Sequence, residues 1–276
     1  MSLETEISRL ENIARETRIN ILKMLTIAGS GHTGGSLSAV ELLVSIYFHK
    51  MRHKPGNPKW EDRDKFVLSK GHAAPALYAV LAMSGYFPRE ELMNLRKMGS
   101  MLRGHPYNEV TPGVEVPTGS LGQGISMASG MALAAKLDKK PIRIYSLLGD
   151  GECQEGQVWE AAMSCAHYKL DNLCAMVDRN GFQIDGKIKD IMEIEPFSQK
   201  WKSFGWEVFE IDGHSFREIL DALEKAEAVK GKPSVIIART VKGKGISFIE
   251  NVNKFHGTSP TKEELEKALK ELGENA

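Results

Sequence analysis

Nothing in this sequence calls for a covalent or metallic staple. Its three cysteines, Cys153, Cys165 and Cys174, are odd in number and lack CxxC spacing, which excludes a disulfide framework and a structural zinc site. No apolar run approaches the ~20 residues of a membrane helix, and the chain opens without the basic segment and apolar stretch of a secretory leader. The expectation is a soluble, reduced, cytoplasmic protein. Net charge is also missing: 36 Lys+Arg balance 36 Asp+Glu for a formal charge of +0. No global field draws nucleic acid or an acidic membrane, so any anion site has to be built locally. At 276 residues the chain is long enough for one large α/β domain with a substantial core.

What the chain does have is a repeated pattern in which an apolar, strand-like run gives way to glycine and polar residues. Residues 142–148 are β-rich and stop at Gly149-Asp150-Gly151, where two glycines leave Asp150 projecting from a turn as an exposed carboxylate. A helix over 155–167 follows. A second strand, 173–177, stops at Asp178-Arg179-Asn180-Gly181, so Asn180 lies beside Asp150 if the two strands are parallel neighbours. One Asp, one Asn and a free loop carbonyl suit Mg²⁺, which takes oxygen ligands and leaves several positions to phosphates and water. Taken singly, each is an ordinary turn residue, because Asx side chains bond nearby backbone. Together, the order strand, Gly-Asp-Gly, helix, strand, Asn resembles the thiamine diphosphate-binding signature.

The same pattern recurs along the chain. Leu3, Ile7, Leu10, Ala14, Thr17, Ile21 and Leu25 form one stripe of an amphipathic helix over 1–28. Four glycines over 29–36 read as a loop whose backbone approaches a ligand, and 39–49 as helix. The run 66–68 ends at Ser69-Lys70-Gly71-His72, before a helix over 73–84. A surface helix is expected at 88–98, and the long loop 99–117 reads as functional. Residues 125–137 are a helix of small residues suited to close packing. A strand at 206–211 ends at Asp212-Gly213-His214, and Ser215 and Glu218 have capping-box spacing for a helix to about residue 230. Another strand, 234–238, runs on into Val241-Lys242-Gly243-Lys244-Gly245. Thr261 and Glu264 repeat the capping-box spacing, so 261–276 reads as a closing helix or docking tail.

Alternation of strand and helix from residue 142 onward predicts an α/β fold, a doubly wound parallel sheet with helices on both faces. Such folds bind ligands at the carboxyl ends of their strands, and GDGE, DRN, DGH and VKGKG all fall there. Five of the eight histidines, His32, His72, His105, His214 and His256, adjoin a glycine. That pattern suggests a crowded polar pocket, whereas His49, His53 and His167 read as structural. None of the five has HxxxH or HExxH spacing, so hydrogen bonding to a hydroxylated or phosphorylated ligand suits them better than metal ligation.

The segments SGHTGGS, DKFVLSKGHAAPALYAV, RGHPY, TGSLGQGI, LLGDGE with EGQVWEA, DRNGFQIDG, VKGKGI and FHGTSP resemble, in order and over almost the whole chain, the amino-terminal half of transketolase. The resemblance implies a single diphosphate-binding domain over 1–276 that takes thiamine diphosphate with Mg²⁺, or with Ca²⁺ or Mn²⁺ in its place. Asp150, Asn180 and the Phe182 carbonyl would hold the metal. His72, Gly119, Ser120, Leu121, Gly151, Glu155, Asn180, Lys242 and His256 would contact the cofactor, Glu155 also joining an acidic interface between paired sites. His32, His72, His105 and His256 would serve catalysis, with His32 and His105 on the substrate's hydroxyls. Gly35 and Thr33 depart from common family residues in the first loop.

A full transketolase continues into a further domain bearing a glutamate and the main sugar-phosphate grip. The resemblance therefore implies a split enzyme, two copies of this chain with two of a carboxy-terminal subunit, moving a two-carbon ketol unit from a ketose phosphate to an aldose phosphate. Half of a deoxyxylulose phosphate synthase or an oxo-acid dehydrogenase component is a near alternative. A non-catalytic diphosphate-binding module is a distant one. A nicotinamide-binding domain is weaker, because GSLGQG lacks the GxGxxG order.

Overall fold

The computed structural model describes residues 2–274 and contains a five-stranded, wholly parallel sheet in the order β1-β2-β3-β7-β6. The strands are β1 (Lys65–Leu68), β2 (Ile144–Gly149), β3 (Leu173–Arg179), β6 (Glu207–Asp212) and β7 (Ser234–Arg239), and Phe182–Gln183 (β4) and Gly186–Lys187 (β5) make a short hairpin after β3. β2 and β3 are buried along almost their whole length, as expected of central strands covered on both faces. Their side chains divide by parity between two cores. Phe66, Leu68, Tyr145, Leu147 and Met176 pack with the helices Leu3–Ala28, Ala74–Met83 and Phe216–Ala228. Val67, Ile144, Leu148, Ala175 and Val177 pack on the other face, with Gln123–Leu137 and Gly156–His167. This is the expected doubly wound architecture.

Several local expectations are corrected. Residues 29–36 are not all loop, because Thr33–Leu37 is a helical turn. Its glycines serve packing there, and a Cβ on Gly34 would stand 3.0 Å from Lys242 Cγ. The segment after Ala39 is α-helical only over Val40–Ser45 before widening to a π-helix, Ile46–Lys50. Residues 88–98 form a 3-10 segment, Arg89–Asn94, followed by a turn, with Leu92 and Leu95 buried and Met93 packed against the core. A 3-10 turn, Gly151–Gln154, intervenes before Gly156–His167. Thr261 and Glu264 make the full reciprocal capping box. Ser215 makes half of one: its Oγ accepts from Glu218 N, while the Glu218 carboxylate turns to Asp212 N at 2.8 Å. Met1 and residues 275–276 of the expected terminal elements lie outside the described residues. Among the described residues no helix is long and apolar enough to cross a membrane.

Candidate functional site

The carboxyl ends of β1, β2, β3 and β7 meet at one pocket of about 350 Å³. Lys70 follows β1, Asp150 follows β2, Asn180 follows β3 and Lys242 follows β7, while His32, His105, Gly119 and Leu121 arrive on loops and His256 ends a 3-10 turn, Asn253–His256. His72, Gly151, Glu155 and Phe182 also line it. Of the sequence-predicted site residues only Ser120 falls outside the lining, with its side chain exposed.

Four of the five glycine-flanked histidines assemble here. Ring centroids lie 5.3 Å apart for His32 and His72, 6.2 Å for His32 and His105, 5.7 Å for His32 and His256, and 5.6 Å for His72 and His256. Burial pulls His32 down to about 4, His105 and Arg96 adding to it, and pulls His256 down to about 3, helped by the Lys242 ammonium. His72 falls well below its usual range, mainly by burial, and burial also lowers His105. The rings are thus neutral at pH 7, each able to donate at one nitrogen and accept at the other. Lys242 Nζ lies 3.0 Å from His256 Nδ1, and burial with the nearby Lys70 charge brings that lysine down to about 8. His32 Nδ1 is buried without a hydrogen-bond partner, as is Thr118 Oγ1. Of the two, His32 lines the pocket, so its unpartnered nitrogen is free to bond a ligand there.

His214 shares the glycine flank yet sits elsewhere, and the pocket expected from five histidines holds four. Its Nδ1 faces Glu41 Oε2 at 3.0 Å and its Nε2 accepts from Val241 N at 2.8 Å. Arg18 donates to Glu41 Oε1 at 2.5 Å and to the Lys244 carbonyl at 2.9 Å. This buried chain fastens the loop that carries Lys242. His49 pairs with Glu6 and His53 with Tyr86 and Tyr47, while His167 is exposed beside Tyr168, as their structural reading anticipated.

Asp150 is not the exposed carboxylate expected from its turn: only 2 % of it is accessible. Asp150 Oδ1 accepts from Gly151 N at 2.9 Å and Oδ2 from Gly181 N at 2.6 Å. Burial, then the Asp178 charge, push its carboxyl up to about 7 against those two bonds. An adjacent cation would offset both causes. Asn180 Oδ1 accepts from Phe182 N at 3.1 Å, and the Phe182 carbonyl faces Gly151, where a Cβ would lie 3.6 Å from it. Among the described residues no trio of His, Cys, Asp or Glu is placed to hold a metal. One carboxylate, one carboxamide and one backbone carbonyl beside this pocket fit a hard cation that completes its shell with ligand oxygens.

Beneath the pocket lies a layer that sequence reasoning missed. Lys70 and Asp178, 1 % and 0 % exposed, form an ion pair, joined by Ser38 Oγ at 2.6 Å and by Thr240 on the carboxylate and by the Gly35 carbonyl at 3.0 Å on the ammonium. Burial alone would raise the Asp178 carboxyl, and Lys70 with these donors outweighs it, leaving a net lowering. Asn180 Nδ2 reaches the same carboxylate at 3.4 Å. Glu152, also buried, accepts from Ser69 Oγ at 2.5 Å, Gly122 N at 2.9 Å and Gly149 N at 3.0 Å, tying three site loops together. The available signal was position: Lys70 and Glu152 stand in the same strand-end segments as His72 and Asp150.

The family profile described as "Transketolase, thiamine diphosphate binding domain" matches residues 10–276. The chain is 47 % identical over 267 residues to the 6-deoxy-6-sulfo-D-fructose transketolase subunit SqwG of Clostridium sp. (strain MSTE9), covering 95 % of this chain and 97 % of that one. It is 42 % identical to an apulose-4-phosphate transketolase subunit of Phocaeicola vulgatus, covering 98 % and 95 %. The crystal structure of transketolase from Campylobacter jejuni superposes with a TM-score of 0.93 at 36 % identity, over 100 % of this chain and 44 % of that one. This chain thus spans less than half of the Campylobacter jejuni transketolase but 95 % or more of the two subunits. The chain belongs to the transketolase family, as its amino-terminal, thiamine diphosphate-binding part.

Proposed function

We propose that this chain is the amino-terminal subunit of a two-chain transketolase that moves a two-carbon ketol unit from an anionic ketose to an aldose. The observation that carries the reading is the meeting of the four neutral histidines with Asp150, Asn180 and Lys242 at four strand ends in one pocket. Asp150, Asn180 and the Phe182 carbonyl would hold Mg²⁺, and His72, Lys242 and His256 the anionic groups of the cofactor and donor. Gly119 to Leu121 would run along the cofactor's middle, with Glu155 at the rim toward a second site. Bound thiamine diphosphate supplies a nucleophilic carbon and an electron sink for cleavage beside the ketose carbonyl. His32 and His105 hold the sugar's hydroxyls and move protons at those oxygens. An anion held near Lys70 and Lys242 would offset part of what lowers His32 and bring its pKa back toward the range in which proton transfer is most effective at neutral pH.

Subunits of matching length, rather than the longer enzymes, support a separate carboxy-terminal chain as partner; the assembly proposed has two copies of each. The substrates named for those relatives, a 6-deoxy-6-sulfo sugar and apulose 4-phosphate, each carry an anionic terminus, which supports an anionic sugar as donor outside or alongside pentose phosphate metabolism. The test is ketol transfer by the assembled enzyme with single substitutions. His32→Ala and His105→Ala should each lower kcat by about 10²-fold or more, the scale of general acid–base help. Unchanged turnover in either folded variant removes that histidine from the reaction.

A further inference from the structure

Asn253 stands where the two sides of the candidate cofactor grip come within one side chain of each other. It opens the 3-10 turn Asn253–His256, which ends on His256 of the pocket. Its Oδ1 accepts from Lys242 Nζ at 3.3 Å, and its Nδ2 donates to the Ile184 carbonyl at 3.0 Å. Chemistry leaves this amide one orientation, since an ammonium only donates and a carbonyl only accepts. Asn253 therefore bridges the loop after β7 to the tip of the β4–β5 hairpin, whose Phe182 carbonyl faces Gly151.

The root of the hairpin packs on Gly151 through Gln183, but its tip has little else to fix it. Each strand is two residues long, and a hairpin of that size does not hold itself in water. The Ile184 side chain is 63 % exposed, so packing does not anchor the tip either. Lys242, at the other end of the bridge, is firmly placed. It is buried, its carbonyl accepts from Asn251 N at 2.8 Å, and its Nζ lies 3.0 Å from His256 Nδ1. The same ammonium sits 5.1 Å from the centre of the Phe182 ring, a second contact between the lysine and the hairpin. Two of its three N–H groups go to Asn253 and His256, which leaves the third for an anion in the pocket.

We propose that Asn253 is a positioning residue that couples the two ends of the metal-diphosphate grip, holding the hairpin carbonyl at the distance a cation needs and Lys242 toward the phosphates. The inference rests on the metal assignment of Asp150, Asn180 and Phe182. A cation tolerates only about ±0.2 Å in its ligand distances. Phe182 is two residues from Ile184, so slack at the tip is passed on to the ligand. Residues that orient ligands without touching the metal are worth about 10- to 100-fold in affinity. An anion that steadies Lys242 thereby steadies the hairpin through Asn253, and a cation that draws in the hairpin steadies the lysine in return.

The experiment measures affinity for thiamine diphosphate in the assembled two-chain enzyme by calorimetry, once with saturating Mg²⁺ and once with the metal chelated. The readout is the ratio of the two affinities, in which a uniform loss of binding cancels. Asn253→Ala should cut that ratio by about 10-fold. Asn253→Asp keeps an oxygen for Lys242 but has no N–H for the Ile184 carbonyl, so it should lower the ratio as alanine does. Asn253→Gln carries both groups and should recover part of it. A ratio in the alanine or the aspartate variant equal to that of the unaltered enzyme overturns the assignment. Amide hydrogen exchange gives a readout without cofactor: residues 183–187 should exchange about 10-fold faster in both variants, the scale of one hydrogen bond, and unchanged rates also overturn it. An unaltered enzyme whose affinity ignores Mg²⁺ refutes the metal assignment instead, and the coupling falls with it.

Discussion

Replacement of Gly151 by alanine perturbs the proposed metal site through the hairpin that covers it. Gly151 does not use left-handed backbone angles, so alanine introduces no conformational strain of its own. Its Cβ, however, would stand 2.8 Å from Gln183 Cβ and 3.4 Å from Gln183 Cα. Carbon atoms settle at roughly 3.5–4.0 Å, so the β4–β5 hairpin has to retreat by about 0.7 Å or more. That hairpin carries the Phe182 carbonyl, and metal–ligand distances tolerate only about ±0.2 Å. Gly151→Ala should therefore remove one of three protein oxygens from the cation while costing the fold about 1–3 kcal/mol of overpacking. Affinity for thiamine diphosphate in the presence of Mg²⁺, measured by titration calorimetry on the assembled enzyme, should fall about 10- to 100-fold, or 1.4 to 2.8 kcal/mol. A folded variant that binds as tightly as the unaltered enzyme would refute the metal assignment.

Other consequences follow from the buried layer. Lys70→Met leaves Asp178 as an unpaired buried charge and should cost about 3–5 kcal/mol in urea unfolding, with much of it recovered in Lys70→Met/Asp178→Leu; a loss below 1 kcal/mol would contradict the pairing. His32 and His256 have folded-state values of about 4 and 3, below the ordinary 6.5. Between pH 6.5 and 4 the unfolded chain binds these protons and the folded chain does not, so stability should rise with pH across that window. His256→Asn should flatten the rise in urea midpoints, and an unaltered slope would argue against it. His214→Phe strands the Val241 N–H and loosens the Lys242 loop, so it should weaken cofactor binding several-fold, with His214→Gln milder; equal affinities in all three would show that the loop holds without this bond.

The sheet and the position of its ligand groups were legible because central parallel strands are buried on both faces and so read as apolar runs, each ended by glycine and a polar residue. β2 with Asp150 and β3 with Asn180 are the plainest cases, and their parallel pairing of Gly149 with Asp178 sets the two loops side by side. Residue roles such as that of Lys242 came instead from resemblance to transketolase. Exposure at Asp150 was misjudged because the covering hairpin, residues 182–187, follows a different strand. The Lys70–Asp178 pair was invisible for a similar reason: each charge looks unsuited to a core until its partner, 108 positions away, is in place. His214 carries the same glycine flank as the pocket histidines, but it follows the edge strand β6, and from there it reaches Glu41 rather than the pocket.

The central claim is that this chain supplies one half of a ketol-transfer site. It is tested most directly by measuring transfer from an anionic ketose to an aldose, with thiamine diphosphate and Mg²⁺, for the chain alone and after mixing with its candidate carboxy-terminal partner. The account predicts no turnover from the chain alone and turnover from the mixture, lost when His32 or His105 is replaced. Turnover by the chain alone, or none from a verified stable complex across phosphorylated and sulfonated ketoses, would contradict it.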